Sequence, residues 1–119
     1  MRQQPVDQRT DIGIGEFEGE VISWLDEVYP DRDKIWGSVG LSHTIGQLGI
    51  TMLRRDTFGR EPKADALLMK YIGGAMIHLC NIAEDLDIPM NQAAVIALDS
   101  MRADKELADK KKERENANS

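Results

Sequence analysis

The stretch MKYIGGAMIHLCNIAEDLDIPMNQAAVIAL, residues 69–98, decides the fold. Ile72, Ala75, Leu79, Ile82 and Leu86 recur three and four residues apart. That is the spacing of one helix face. The pattern reaches back through Leu67 and Leu68, so it predicts a helix over about 64–86. Asp87-Ile88-Pro89 breaks it. A proline suits the first turn of a helix, where its missing N–H has no intrahelical partner. A fourth helix therefore starts near Pro89 and carries Ala93, Ala94, Ala97, Leu98 and Met101.

Toward the N-terminus, residues 56–63 (DTFGREPK) hold Gly and Pro and read as a loop. Before them, Ile35, Val39, Ile45, Leu48, Met52 and Leu53 mark a helix over about 33–55. Ile14, Phe17, Val21, Trp24, Leu25 and Val28 mark another. Pro30 ends it, because proline disfavours helical geometry in the residue before it. There is no alternating β-branched run and no Asn-Gly hairpin turn. The reading is all-α with four helices: a polar arm at 1–12, a helical domain at 13–105, and a charged helical extension or frayed tail at 106–119. The second and third helices are apolar over more than one stripe, so they also have surface to bury against another subunit. The six Met read as core or interface, and Trp24 as core.

At 119 residues the chain has room for one domain. It carries 15 basic and 21 acidic residues, a net charge of −6. That charge argues against nonspecific nucleic-acid binding, which needs a basic surface. Cys80 is the single cysteine, so no intrachain disulfide forms, and no Cys/His cluster has zinc spacing. No apolar run approaches the ~20 residues that cross a bilayer, and the first residues are polar. These features predict a cytoplasmic chain (host cytoplasm if the source is viral), with no membrane partner.

The glycines carry the most information. Gly46 and Gly49 fall inside the second helix and Gly73-Gly74 inside the third. Each helix-interior glycine costs ~1 kcal/mol against alanine, so each needs a reason: close approach of another helix, or room for a ligand. Close approach suits Gly46 and Gly73; the doubled Gly73-Gly74 fits it less well.

In this order, ISWLDEVYPDRD, LSHTIGQLGITMLRRD, MKYIGGAMIHLCNIAEDLDI and NQAAVIALDSMRAD resemble the MazG-like branch of the all-α nucleoside triphosphate pyrophosphohydrolases. The resemblance covers about residues 16–105. It implies a four-helix MazG-like bundle assembled as a dimer or tetramer. It also implies a Glu-Glu-x-x-Glu motif facing a Glu-x-x-Asp motif, whose carboxylates hold Mg²⁺, a hard cation that wants oxygen ligands. Here the first motif falls on His43, Thr44 and Gln47 and the second on Tyr71 and Gly74, so every acidic ligand is replaced. The residue before Tyr71, often acidic in that family, is Lys70. The phosphate-holding positions of the fourth helix read Leu98, Arg102 and Lys105.

Together these features predict a neutral to mildly basic site in place of an anionic one. His43, Thr44, Gln47, Lys70, Tyr71, Gly74, His78, Trp36 and Arg102 are its candidate residues. Thr44 and Gln47 supply neutral hydrogen-bonding groups. The histidines, Lys70 and Arg102 supply donors or cations. Trp36 and Tyr71 offer stacking faces worth ~1–3 kcal/mol per base. Gly74 would leave the site larger. Each also has a plainer reading as core or solvated surface.

Three functions stay open. One is a pseudoenzyme that binds a nucleotide or nucleotide-derived signal with no cofactor; sequestering a signalling nucleotide, as a phage protein would against host defence, is one specific form. Another is a structural or adaptor homo-oligomer with a closed pocket. The third is an altered Mg²⁺-dependent pyrophosphohydrolase using Glu16, Glu20 or Glu84.

Overall fold

A computed structural model describes residues 12–118; the polar arm assigned to 1–12 lies almost wholly outside the described residues. The described chain is all-α: α1 (Ile14–Val28), α2 (Trp36–Phe58), α3 (Pro62–Asp85) and α4 (Met90–Ala117).

Local chemistry sets the ends. Tyr29, held before Pro30, leaves helical geometry and bonds back to the Leu25 carbonyl at 2.7 Å. α2 starts three residues later than the apolar spacing predicts, because the Trp36 N–H closes a turn on the Asp33 carbonyl at 2.9 Å. It also ends later. Asp56-Thr57-Phe58, expected in the loop, stays helical up to Gly59, which turns out at φ 89. That is the left-handed region only glycine enters cheaply. Pro62 takes the first position of α3, so the loop shrinks to residues 59–61. At the other end of α3, the Ile88 N–H bonds to the Ala83 carbonyl at 2.9 Å and the Asp87 N–H to the Glu84 carbonyl at 3.1 Å. This is a Schellman turn, with Asp87 (φ 57) where glycine is usual.

α2 and α3 form an antiparallel hairpin. Gly37, Thr44 and Thr51, buried at seven-residue spacing, mark the face of α2 turned to α3. α1 packs on α3, and α4 on α1. Val21, Leu25 and Cys80 form the core, with Phe17, Ile22, Trp36, Ile77 and Met90 around it. Trp24, expected in the core, is 52% exposed. Val21 and Leu25 take the inward face of α1, and one further step of ~100° turns position 24 away. Its ring meets the edge of Tyr29 at 5.8 Å instead.

α4 buries none of its residues, and runs unbroken across the 105/106 boundary drawn from composition. Its charged end is laced by Lys105–Asp109 and Lys110–Glu106 pairs at helical spacing. α3 contains an 18-residue window of mean hydropathy 1.3, long and apolar enough by composition to cross a membrane, although no uninterrupted apolar run of that length exists.

Candidate functional site

The hairpin register brings most of the expected positions together. Gly37 lies against Asn81 and Ile82, Gly40 against His78, and Thr44 against Gly74. The same register sets Gln47 opposite Tyr71. The motif positions on the two helices therefore do face each other across the α2–α3 seam. Helical spacing then puts exposed His43 and half-buried Gln47 on the same side of the hairpin as exposed Lys70 and half-buried Gly73. Trp36 and His78 form a second group about two turns of α2 away, their rings 4.7 Å apart. Arg102 joins neither group. It sits on α4, which packs mainly against α1.

The glycines divide differently from the sequence expectation. A side chain at Gly40 would collide with the His78 ring, so His78 fills the space that Gly40 leaves. Gly74 does not widen a pocket: the Thr44 methyl packs beside it, 3.5 Å from where a Cβ would stand. Gly46, Gly49 and Gly73 have nothing within 4 Å of an added Cβ. Close approach inside one chain thus accounts for Gly37 and Gly40; at Gly74 a Cβ would make ordinary contact with Thr44, and at Gly46 and Gly73 it would meet open space.

Arg32 and Asn81 were not among the expected residues. Asn81 is fully buried, and its Oδ1 accepts a 2.6 Å hydrogen bond from Arg32 Nε. The Arg32 side chain, 11% exposed, also donates through Nη1 to the Tyr29 carbonyl at 3.1 Å and pairs with Asp26 at 3.0 Å. The loop after α1 is thereby pinned to α3. Asn81 Nδ2 and His78 Nδ1 are buried here and have no partner among the described residues. Burial lowers the His78 pKa from its ordinary 6.5, which favours the neutral ring. Beside this network, Tyr29, Arg32 and Trp36 line a cavity of about 330 Å³, with the Tyr29 and Trp36 rings tilted together at 6.2 Å. The sequence signal was a lone Asn inside the apolar run HLCNIA; a buried carboxamide needs a partner, and only the fold names it.

The mid-seam donor set does not fit Mg²⁺. It offers an imidazole, hydroxyls and a carboxamide where that ion wants carboxylate oxygens. No three His, Cys, Asp or Glu side chains among the described residues come together as a metal group. The acids considered for an altered hydrolase stand elsewhere. Glu84 is ten residues beyond Gly74, ~15 Å along the helix, and shares a cavity of about 170 Å³ with Glu18 and Asp87. Glu16 and Glu20 are exposed on α1.

At the far end of the hairpin a cavity of about 290 Å³ is lined by Thr51, Arg54, Arg55, Phe58 and Lys63 among others. Arg55 there faces Asp65 at 3.6 Å. No protein family, curated protein or solved structure matches the chain.

Proposed function

We propose that this chain is a non-catalytic member of the MazG-like helical bundles, which holds a nucleotide or nucleotide-derived signalling molecule without metal and so sequesters it. One observation carries the reading. Thr44 packs against Gly74 at the place where the resemblance calls for opposed carboxylates, and His43, Gln47 and Lys70 lie on one side of that seam. A carboxylate pair repels phosphate unless metal neutralises it. A seam of neutral donors beside one lysine accepts an anion directly. The aromatic group at Tyr29 and Trp36, with its adjoining cavity, offers a planar ligand a face to stack on.

The test is a nucleotide panel in chelator. The readouts are the melting temperature and the tryptophan fluorescence. A binder at 100 times its Kd stabilises the fold by ~2.7 kcal/mol. Binding should weaken in Lys70→Ala and His43→Ala, and the nucleotide should be recovered intact after heating. New monophosphates that depend on Mg²⁺ would overturn the reading in favour of the hydrolase.

A second reading has its own support. His78 fills the space over Gly40 and Thr44 covers Gly74, so this seam is packed rather than open. That packing suits a structural or adaptor homo-oligomer. An unmoved melting temperature across the whole panel would favour it.

A further inference from the structure

Positive charge gathers at one end of the hairpin, in a chain whose net charge is −6. The ten residues 54–63 (RRDTFGREPK) hold four basic side chains against two acidic ones. The fold then sorts them. Gly59, at φ 89, and Pro62, at the first position of α3, keep the turn to residues 59–61. Arg54 and Arg55 near the end of α2 are thereby held beside Lys63 at the start of α3, and all three line the cavity of about 290 Å³.

Cations crowded into one cavity repel each other unless acids pair with them. Asp65, which is not in the lining, pairs with Arg60 at 2.7 Å and with Arg55 at 3.6 Å. Arg54 and Lys63 have no acidic partner among the described residues. Glu61 is the one acid in the lining, so a surplus of positive charge remains there. No side chain caps the first turn of α3. The Lys63 and Ala64 N–H groups, without intrahelical partners, add partial positive charge at the same end.

The other wall is apolar. Phe58, 75% exposed, and half-buried Leu67 line the cavity beside the cations. A bare inorganic anion would use only the charged wall. An anion carried on an apolar or planar body would use both. Guanidinium forks match phosphate oxygens two at a time. The volume stands at the lower edge of small-ligand sites, so that body is compact.

We propose that this end of the hairpin is a phosphate site. Arg54, Arg55 and Lys63 take the phosphate of an organic phosphomonoester, and Phe58 and Leu67 take its apolar body. The mid-seam group lies apart from it: Arg54 is seven residues beyond Gln47 and Lys63 seven before Lys70, ~10 Å along each helix. Neither site needs the other to be occupied. A small soluble phosphomonoester and a phosphatidate headgroup offer the same chemistry, and exposed Phe58 beside basic side chains suits either source.

The probes are phenyl phosphate, inorganic phosphate, and phosphatidylcholine vesicles with and without phosphatidate, each with the full chain at low salt. Calorimetric titration should show phenyl phosphate bound ~10-fold tighter than inorganic phosphate. Arg54→Gln and Lys63→Gln should each weaken phenyl phosphate ~10-fold, and Phe58→Ala should erase its advantage. Glu61→Gln should tighten it ~3-fold. All four positions are exposed, so helical circular dichroism should persist in every variant. Lys70→Ala, which tests the seam, should change none of this. Flotation on phosphatidate vesicles that Arg54→Gln abolishes would assign the phosphate to a lipid headgroup; titration without flotation would assign it to a soluble ligand. Neither heat nor flotation overturns the proposal. So do equal affinities for the two phosphates, binding that Arg54→Gln and Lys63→Gln leave intact, or binding lost in Lys70→Ala alone, which would move the phosphate to the seam. Phenyl phosphate held by Arg54 and Lys63, with no response to the nucleotide panel, would leave this site standing and the seam reading refuted.

Discussion

Removing the guanidinium of Arg32 tests how the fold is pinned. In Arg32→Met the Asn81 carboxamide loses its one partner among the described residues while fully buried. An orphaned buried polar group costs ~1–3 kcal/mol. The lost ion pair with exposed Asp26 adds under ~1 kcal/mol, and water can reach the exposed Tyr29 carbonyl. The expected cost is therefore ~2–3 kcal/mol. Asn81→Ala leaves a largely buried guanidinium without its 2.6 Å acceptor, and should cost ~2–4 kcal/mol. The double variant removes both groups, so neither is orphaned. It should cost about as much as either single change, a coupling of ~2 kcal/mol. Urea unfolding of all four proteins, followed by helical circular dichroism, closes the cycle. Protein concentration is held the same for all four. Additivity within ~0.5 kcal/mol, or an Arg32→Met cost below ~1 kcal/mol, would refute the argument that this pair is a buried, mutually dependent unit.

Other outcomes follow from the same packing. Leu25→Ala empties a fully buried site in a small core, and should lower unfolding free energy by ~2–5 kcal/mol in the same urea titration. Asp87→Gly relieves a left-handed residue at the Schellman turn, and should raise stability by ~0.5–1 kcal/mol, seen as a higher melting temperature. Burial keeps the His78 pKa below 6.5. Only the unfolded chain takes up that proton as pH first falls through 6.5, so stability is retained above that pH and declines below it. The decline should flatten in His78→Gln, as read by melting temperature across a pH series. Burial, and then the charge of Glu18, push the Cys80 thiol up. Native Cys80 should react with a thiol reagent at least ~100-fold slower than the urea-unfolded chain.

The helices were legible because their causes are local. The three-four spacing around Ile72 and Leu79 marks α3, and Pro30 and Pro89 punctuate the chain. Their ends were less so. Asp56-Thr57-Phe58 looks like loop because Gly and Pro follow, yet nothing stops a helix before Gly59 does. Trp24 sits in a helical apolar pattern, but one step of rotation separates a core residue from an exposed one, and only the position of α3 decides which step is inward. Of the candidate site, the facing of Thr44 and Gly74 followed the motif spacing, whereas Arg102 needed a packing partner for α4 that a single chain does not supply.

Residue identity and local spacing made the chain all-α, located its four helices to within a few residues, and left the seam positions without carboxylates. These are properties of residue identity and of a repeat a few residues long. Tertiary structure alone decided that Arg32 reaches Asn81 across 49 positions and that His78 fills the space over Gly40. It alone decided that the Thr44 methyl packs beside Gly74. Such contacts depend on the register and rotation of helices distant in sequence. One turn of slip, ~5.4 Å, would exchange every partner without altering the local pattern.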